Sequence, residues 1–319
     1  MTPIDVVLID RNEGARLVAA LDSVRGKARQ VIYVDSGSTD ASVAAAEARG
    51  AGVVRLDMSV PFTAARARNA GFDALDDPQI VQFIDGDCAL VDGWLDAGRA
   101  FLEANPHVGM VTGWRSEIHR DASVYNQLCD FEWRRPAGEI LTCGGDMMVR
   151  ADLWRQVGGM NPVVIAGEDD DVCCRFRKAG WALHRLPLEM TRHDAAMTRF
   201  GQWWARAVRT GHAFGQVHGL HPDFFVTEVR RVLFYGAVLP VLFVLGLFTE
   251  PWLSLLALLV YVVNHIRTAR GLRRLGLPAD DVRNHAALIT LSKFPNMIGL
   301  ARYHLRRLTG AKMRIIEYK

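Results

Sequence analysis

Short apolar runs alternate with amphipathic stretches along the first third of the chain. Five runs have the length and composition of buried strands, at residues 4–9, 30–34, 53–56, 80–84 and 108–112. The stretches between them place apolar residues at helical spacing and predict a helix after each of the first four strands. Strands separated by helices of about 10–15 residues are typical of an α/β fold. Its parallel, doubly wound sheet binds ligands beyond the carboxyl ends of the strands.

A continuous apolar pattern replaces this alternation in the last third of the chain. Residues 232–249 carry no charged side chain, Glu250 and Pro251 interrupt the run, and residues 252–264 are again uncharged. A helix needs about 20 apolar residues to span a membrane. Residues 232–266 therefore predict a helical hairpin that enters or just crosses the bilayer. A buried hairpin in the core of a soluble protein is the alternative.

Composition separates the same two parts of the chain. Half of the 319 residues are hydrophobic, with 14 Phe and 8 Trp, which excludes a disordered chain. The net charge of +3 combines two unlike regions. Residues 267–319 contain 12 Lys and Arg against 3 Asp and Glu, whereas the preceding residues contain 26 against 32. This basic tail repeats apolar residues at roughly helical spacing, so we expect it to contact anionic membrane lipids. Nucleic acid is the alternative partner, but no known reader module accompanies the tail.

Arginines flank the apolar hairpin on both sides, at Arg230 and Arg231 and again from Arg267 onward. Because positively charged flanks stay in the cytoplasm, we expect both ends on the cytoplasmic face of the cell inner membrane. The first residues lead directly into a strand, so no signal peptide is expected. The five cysteines lack metal-type spacing, which favours reduced thiols in a cytosolic domain.

Two carboxylates follow the predicted strand at residues 80–84. Asp85 and Asp87 are separated by one glycine, and oxygen ligands at this spacing can bind one divalent cation, Mg²⁺ or Mn²⁺. A polar turn is the alternative for so short a motif. His193 is a further candidate ligand of the metal or of a phosphate, although a single histidine is more often structural.

Two further groups of polar residues could bind a nucleotide. Asp35, Ser36 and Gly37 begin a turn whose carboxylate, hydroxyls and amides could hold a nucleoside; a turn with a helix cap is the alternative. Arg66 and Arg68 lie on the next predicted helix. Their guanidinium groups suit diphosphate oxygens, although solvated surface arginines are the default.

Four consecutive acidic residues at positions 168–171 lead into an apolar, cysteine-containing helix. A solvated acidic run is the usual explanation, but the apolar helix predicts that some of these side chains point inward. A carboxylate among like charges has a raised pKa, which suits a general base.

Taken together, these motifs resemble family 2 glycosyltransferases, which have the GT-A fold. The resemblance covers roughly residues 3–215. The matching segments follow one another in the order of that family: N-E at 12–13, D-S-G-S-T-D at 35–40, A-R-N at 67–69, F-I-D-G-D at 83–87, G-G-D at 144–146, G-G at 158–159 and E-D-D-D-V-C-C-R at 168–175. The first strand departs from the family by ending in Ile9-Asp10-Arg11, in place of a Pro-Thr-Tyr type of segment, which leaves the base contact open.

The resemblance implies roles at the donor side of the site. Asp35 would contact the nucleotide base, and Asn12 and Glu13 would lie near the ribose. Asp85 would support the nucleotide and its metal. The other residues that the resemblance places beside the donor are Ser36, Gly37, Arg66, Arg68 and Asn69.

The resemblance also implies the metal ligands, the base and the acceptor side. Asp87, helped by Asp85 and by His193, would hold the metal that bridges the diphosphate. Asp169 would deprotonate the acceptor hydroxyl. The acceptor-side motifs supply Gly144, Gly145, Asp146 and Glu168. The segment Gln202 to Arg206 lacks the Q-x-x-R-W order of processive members, so processive polymerisation is not expected.

The implied reaction is an inverting, metal-dependent sugar transfer from a nucleotide-sugar donor, a UDP-sugar by family habit. Since a polyprenyl phosphate is already ionised and needs no base, the base favours a hydroxyl acceptor on a lipid-linked or envelope glycan. Transfer to polyprenyl phosphate and a non-catalytic membrane scaffold with a decayed transferase domain are the alternatives. A sugar-nucleotide pyrophosphorylase fits poorly, because no G-x-G-x-R loop follows the first strand.

We expect two regions in the chain. The first is a GT-A catalytic domain, and the second is a membrane-associated helical region. Their expected bounds are 1–222 for the catalytic domain, with a nucleotide-binding half at 1–112 and an acceptor half at 113–222, and 223–319 for the membrane region, with the hairpin at 232–266 and the basic tail at 267–319.

Overall fold

The computed structural model of the chain describes residues 1–316. The end of the predicted basic tail, Glu317, Tyr318 and Lys319, lies outside the described residues. The chain divides into two compact units. A sheet unit contains residues 1–120 and 129–195, and a helical unit contains residues 121–128 and those from Ala196 onward. The expected functional boundary near residue 222 stays a prediction.

Strands and helices alternate along the first half of the sheet unit, as the apolar pattern predicts. The strands are β1 (Ile4–Asp10), β2 (Val31–Asp35), β3 (Gly52–Arg55), β4 (Ile80–Asp85), β5 (Cys88–Leu90), β6 (Val108–Glu117), β7 (Gly138–Ile140), β8 (Met147–Arg150) and β9 (Ala182–His193). The accompanying helices are α1 (Ala15–Val24), α2 (Ser42–Ala48), α3 (Ala64–Asp73), α4 (Trp94–Ala104), α5 (Val124–Trp133), α6 (Ala151–Gln156) and α7 (Glu168–Lys178). Residues 124–128 of α5 belong to the helical unit.

The nine strands within residues 1–316 belong to one sheet, in the order β3-β2-β1-β4-β8-β6-β9-β5, with β7 paired to β9. β1 pairs in parallel with both β2 and β4, so the predicted parallel sheet is confirmed for this half. β8 runs antiparallel between β4 and β6. β5 and β7 run antiparallel to β9, which makes the complete sheet mixed.

Both faces of the sheet are covered by apolar side chains. Val7 and Ile9 of β1 belong to one buried cluster, whereas Val6 and Leu8 belong to another. Neighbouring side chains of a strand point to opposite faces of a sheet. A strand that is apolar at every position is therefore stable only where helices pack on both sides, which is the layered α/β arrangement that the sequence predicts.

The register of the parallel strands brings three carboxyl groups to one edge of the sheet. Asp10 at the end of β1 is the register partner of Asp35 at the end of β2. Asp85 at the end of β4 is the partner of Ile9. Because adjacent strands lie about 4.8 Å apart, three acidic residues follow one another along this edge, and Asp87 follows Asp85 after one glycine.

The helical unit contains the apolar hairpin that the sequence predicts. The chain from Val226 to Phe248 is one 23-residue helix, and a second helix of 24 residues begins at Pro251, so the break falls at the expected Glu250-Pro251. Both helices are long and apolar enough to cross a membrane, and only 17% and 11% of their most apolar stretches are buried. The elements are α8 (Phe200–Leu220), α9 (Val226–Leu233), a π-helical segment (Phe234–Val238), α10 (Leu239–Phe248), α11 (Pro251–Arg274), α12 (Ala279–Leu291) and α13 (Lys293–Thr309).

The described part of the basic tail is helical, in α12 and α13. One face of α13 is buried, with Gly299, Leu300 and Tyr303 on it. Leu305 and Leu308 are 62% and 84% exposed, and the sequence places arginines beside them. The tail therefore has a packed face and an exposed face that is both apolar and basic, as an amphipathic helix requires.

Glycines allow α8 and α13 to approach each other closely. A Cβ atom on Gly211 of α8 would overlap the backbone of Asn296, and one on Gly299 of α13 would overlap the backbone carbonyl of Val208. Neither backbone segment can move as a side-chain tip can. The approach therefore requires glycine at both positions.

We predict that Gly299→Ala destabilises the protein. Alanine favours a helix over glycine by about 1 kcal/mol, but overlap with a packed backbone costs about 1–3 kcal/mol and outweighs that gain. Thermal unfolding of the detergent-solubilised chain should show a lower Tm. The matched control is Gly201→Ala in α8, where a Cβ would meet nothing within 4 Å. An unchanged or higher Tm for Gly299→Ala would contradict the packing described.

Candidate active site

The turn after β2 is held by hydrogen bonds from two directions. The Asp35 carboxylate accepts hydrogen bonds from the backbone N–H groups of Gly37 (3.2 Å) and Ser38 (3.1 Å). Asn12 donates its backbone N–H to the Ser38 hydroxyl (3.0 Å), and its side-chain oxygen accepts from the Thr39 N–H (2.7 Å). Asp35, predicted at the base, and Asn12, predicted near the ribose, therefore lie in two loops that hydrogen bonds hold together.

Asp10 lies beside this turn and is a buried carboxyl group. It is 8% exposed, and neither of its oxygens has a hydrogen-bond partner among the described residues. Burial and, after it, the negative charges of Glu13 and Asp87 raise the pKa of Asp10 to about 8. On its other side lies Gly86, where a Cβ atom would be 2.5 Å from the Asp10 Cβ. Only glycine at position 86 leaves room for this carboxyl.

Asp85 is bound by two arginines, the buried Arg68 and the partly buried Arg115. Its carboxylate accepts from Arg68 Nη2 at 2.5 Å and lies 3.4 Å from Arg115 Nη2. Burial raises the pKa of Asp85, but the two guanidinium groups outweigh burial and hold that pKa below its usual range. The first carboxylate of the D-G-D motif is therefore ionised and already paired.

Arg68 lies inside the sheet unit and connects two candidate motifs. Its guanidinium also pairs with Glu168, with Nη1 and Oε1 3.2 Å apart. A Cβ atom on Gly145 would overlap this guanidinium, so the predicted acceptor-side glycine is the residue that lets Arg68 reach Asp85. These contacts favour a positioning role for Arg68, and its predicted contact with the diphosphate stays a prediction.

Asp146, predicted at the acceptor side, is buried and binds three elements. Its carboxylate accepts from the Asp85 backbone N–H (3.0 Å) and from the Thr191 hydroxyl (2.9 Å). It also pairs with Arg115 at 2.7 Å. Asp146 therefore connects the end of β4 with β6 and β9. Arg115 contacts both Asp146 and Asp85 and so links the two carboxylates.

Asp87 and His193 face each other. His193 Nε2 lies 3.0 Å from Asp87 Oδ2, and both side chains are almost fully buried. β5 pairs with β9 so that Cys88 is the register partner of His193. The ligand atoms of Asp87, Cys88 and His193 lie within 4.8 Å of one another. A carboxylate oxygen and an imidazole nitrogen turned toward each other fit one divalent cation, and Mn²⁺ accepts this mixture better than Mg²⁺, which takes oxygen ligands.

Two residues of the acidic run have structural partners. Glu168 is engaged by the buried guanidinium described above, and Asp171 pairs with Arg175 at 2.8 Å. Burial and the negative charge of Asp169 raise the pKa of Asp170 well above its ordinary value. The increase in pKa that the sequence predicts for this run is thus found at Asp170, next to the predicted base Asp169, at the start of α7.

Two predicted donor-binding residues contact loops of the protein. Arg66 donates to the backbone carbonyls of Val60 (2.8 Å) and Pro61 (2.9 Å). Asn69 exchanges two hydrogen bonds with the backbone of Met160, at 2.9 and 2.7 Å. Both side chains therefore fix loops in this structure, and their contacts with a donor stay predictions.

Three groups of the site were not among the sequence candidates: Asp10, Arg115 and Thr191. For Asp10 a signal was available, because an acidic residue that ends a buried strand beside two other acidic strand ends is unusual. Arg115 and Thr191 lie on the long paired strands β6 and β9, and only the pairing of those strands brings them to Asp146.

We predict that Asp10→Asn stabilises the metal-free, nucleotide-free protein, and more so at pH 8 than at pH 5. The folded chain holds a proton on this group up to about pH 8, whereas the ordinary pKa is 3.8. Unfolding therefore releases a proton between these values, and the group destabilises the fold increasingly as the pH rises. Thermal unfolding at both pH values measures the gain. Asp92→Asn, at a 93% exposed side chain, is the control, and equal gains at both pH values would contradict the buried state of Asp10.

Comparison with known proteins agrees with this geometry. Residues 5–148 match the model of glycosyl transferase family 2. A pre-mycofactocin glycosyltransferase of Mycobacterium tuberculosis is 27% identical over 286 residues, which cover 85% of this chain. The match spans only 58% of the length of that relative.

Two solved structures share the fold. A mannosyltransferase from Pyrobaculum calidifontis, in complex with GDP-Man and Mn²⁺, superposes with a TM-score of 0.60 at 18% identity, covering 96% of this chain and 88% of that chain. Glucosyl-3-phosphoglycerate synthase from Mycobacterium tuberculosis, in complex with Mn²⁺, UDP and glucosyl-3-phosphoglycerate, has a TM-score of 0.50 at 20% identity, covering 68% and 79%. The expected GT-A fold is confirmed, and the match of residues 5–148 to the model of glycosyl transferase family 2 agrees with the resemblance seen in the motifs.

Proposed function

We propose that the protein is an inverting, metal-dependent glycosyltransferase that moves a sugar from a nucleotide-sugar donor to a hydroxyl group. The facing pair of Asp87 and His193, beside the rigid loop that holds Asp35, is the observation that carries this proposal. A nucleoside at Asp35 and a diphosphate at Asp87 would follow one edge of the sheet, where parallel α/β sheets bind their ligands.

The similar proteins support a nucleotide-sugar donor. One of the solved structures holds GDP-Man and another holds UDP, and both contain Mn²⁺. The resemblance of the motifs to family 2 glycosyltransferases favours a UDP-sugar as the donor of this chain. The pairing of an imidazole with a carboxylate favours Mn²⁺ over Mg²⁺ here.

The proposed chemistry assigns a task to each group. Asp87 and His193 would hold the cation, which supplies positive charge that offsets the charge of the leaving diphosphate. Arg68 and Arg115 keep Asp85 ionised and fixed beside it. The acceptor oxygen attacks the anomeric carbon in line, the bond from that carbon to the diphosphate breaks, and the configuration inverts.

The proton of the acceptor hydroxyl goes to Asp169 at the start of α7. Asp169 lies next to Asp170, whose pKa burial and the negative charge of Asp169 raise well above its ordinary value. A base is needed only for a hydroxyl acceptor, because a phosphate acceptor is already ionised. This favours a hydroxyl of a lipid-linked or envelope glycan over polyprenyl phosphate.

The helical unit supports a membrane location for this acceptor. Large apolar side chains of the hairpin stay exposed in the chain, among them Leu255 (67%) and Leu259 (56%). An exposed apolar surface of this kind marks a membrane or protein contact. The arginines at both ends of the hairpin favour the cytoplasmic face for these ends, and nucleotide sugars would be available to the sheet unit there.

We predict that Asp87→Asn and Asp169→Asn separate donor binding from transfer. Asp87→Asn removes a metal ligand, so the Mn²⁺-dependent affinity for nucleoside diphosphates should fall at least about 10-fold. Asp169→Asn should keep that affinity and lose about 100-fold or more in transfer rate, as loss of a general base does. Isothermal titration with UDP and GDP, with and without Mn²⁺, measures binding, and donor turnover over a panel of nucleotide sugars measures transfer.

Two outcomes would contradict the proposal. Wild-type transfer rates in Asp169→Asn with the true acceptor would remove the base and favour a phosphate acceptor. Nucleotide binding that Mn²⁺ does not change, in the wild-type protein, would favour the non-catalytic scaffold.

We predict that the hairpin holds the chain in the membrane against an alkaline carbonate wash. The double substitution Leu255→Asp with Leu259→Asp should shift the protein out of the membrane fraction, because each carboxylate in the apolar stretch of α11 costs up to about 3 kcal/mol to insert, with the full cost only at the helix centre. The control is Leu188→Asp, at an exposed apolar residue of the sheet unit. Removal of the wild-type chain by carbonate would show that the hairpin is not inserted.

A further inference from the structure

Three sulfur atoms lie against one another in the core of the sheet unit. The Sγ atom of Cys143 is 3.6 Å from the Sγ atom of Cys173 and 3.3 Å from the Sδ atom of Met110. Cys173 Sγ lies 3.8 Å from the same Sδ atom. Both cysteines are free thiols. Because a disulfide bond is about 2.05 Å long, the two Sγ atoms need to approach each other by only about 1.5 Å to form one.

The two thiols belong to segments of different mobility and exposure. Cys143 lies in the loop between β7 and β8, is 7% exposed, and is followed by the exposed Gly144. Cys173 lies in α7 and is completely buried. A loop moves more easily than a packed helix. Cys143 is therefore the thiol that a small oxidant meets first, and the one that can move toward its partner.

A buried arginine beside the thiols is a second, independent observation. Arg185 of β9 is only 9% exposed, and its Nε atom has no hydrogen-bond partner among the described residues. Its Nη1 atom donates to the Pro136 carbonyl at 3.4 Å. Burial lowers the pKa of Arg185, whereas negative charge on Cys143 or Cys173 would raise it. A positive charge next to a thiol stabilises the thiolate, which is the form that attacks oxidants.

The two thiols also differ in how readily they ionise. Burial and the hydrogen bond with Cys143 raise the pKa of Cys173 well above its ordinary value. Cys173 therefore stays a thiol and suits the second step of an oxidation, in which a neighbouring sulfur that is already oxidised is attacked. Cys143, in the loop, suits the first step.

We propose that Cys143 and Cys173 are a peroxide-reactive dithiol site, and that the disulfide bond formed there slows sugar transfer. The Cys143 thiolate attacks one oxygen of hydrogen peroxide, the O–O bond breaks, and hydroxide leaves, so that Cys143 becomes a sulfenic acid. The Cys173 sulfur then displaces the hydroxyl group from that sulfenic acid. The two thiol protons end in two water molecules, and the two electrons lost by the sulfurs reduce the peroxide.

The bond would connect two segments that support the active site. The β7–β8 loop contains Gly145, which leaves room for the guanidinium of Arg68, and α7 begins with Glu168, which Arg68 contacts, and the proposed base Asp169. Since a displacement of about 1 Å in such a site can cost about 100-fold in rate, we expect the disulfide to reduce transfer at least about 10-fold. This consequence rests on the proposed function, whereas formation of the disulfide does not.

The test exposes the full chain to hydrogen peroxide in the presence of a metal chelator. Catalase then removes the peroxide, and transfer is assayed after addition of Mn²⁺. Peptide mapping by mass spectrometry without reduction should find Cys143 and Cys173 in one cross-linked pair of peptides. Transfer should fall at least about 10-fold and return to the starting rate after treatment with a dithiol reductant.

Three single variants separate the two steps. Cys143→Ser should transfer sugar at the same rate before and after peroxide. Cys173→Ser should stop at the sulfenic acid on Cys143, which dimedone labels. The matched control is Cys174→Ser, at the adjacent buried thiol, and it should form the disulfide and lose transfer as the wild-type chain does.

The outcomes distinguish this inference from the proposed function. Unlinked Cys143 and Cys173 peptides in the treated wild-type chain, or a linked pair with an unchanged transfer rate, would overturn the inference. An equal loss of transfer in Cys143→Ser would also overturn it, because the sensitive group would then lie elsewhere, such as Cys88 beside the proposed metal ligands. A wild-type chain that forms the disulfide but transfers no sugar before oxidation would contradict the proposed function and leave the dithiol site intact. Mapping of the wild-type chain decides whether the disulfide forms even if a variant does not fold.

Discussion

The arrangement of the site depends on the buried guanidinium of Arg68. It contacts Asp85 at the end of β4 and Glu168 at the start of α7, so one positive charge fixes two acidic motifs that lie far apart in the sequence. Removal of that charge would leave two carboxylates buried without compensation, which is more costly than the loss of a surface ion pair. Position 145 requires glycine, because the guanidinium of Arg68 occupies the space that a side chain would take.

The same constraint explains why so many charged groups can be buried at the strand ends. The positive charges of Arg68 and Arg115 offset the negative charges of Asp85 and Asp146. Asp146 also accepts a hydrogen bond from the backbone N–H of Asp85, which holds the end of β4. Asp10 lies outside this balance, which is why its pKa is raised while that of Asp85 is lowered. The paired carboxylates keep the shape of the site.

The sequence predicts the parallel half of the sheet and the acidic residues at its edge, because both follow from local apolar runs and from what ends them. It does not predict that Arg68 is buried. On a helix an arginine is expected at the surface, and only the approach of α7 and the glycine at 145 enclose it. The sequence does not predict Arg115 and Thr191 as site residues either. They reach Asp146 only because β6 pairs with β9 and because β8 lies between β4 and β6. The apolar hairpin is the opposite case, because length and uninterrupted hydrophobicity alone predict its two helices and the break between them.

The central claim is that Asp87 and His193 form one metal centre at the diphosphate of a bound nucleotide. Pulsed electron paramagnetic resonance of Mn²⁺ bound to the full chain together with a nucleoside diphosphate tests it directly. The account predicts coupling of the ion both to phosphorus of the diphosphate and to a ring nitrogen, with the nitrogen signal lost in His193→Gln. A Mn²⁺–nucleotide complex on the wild-type protein without any coordinated nitrogen would contradict it.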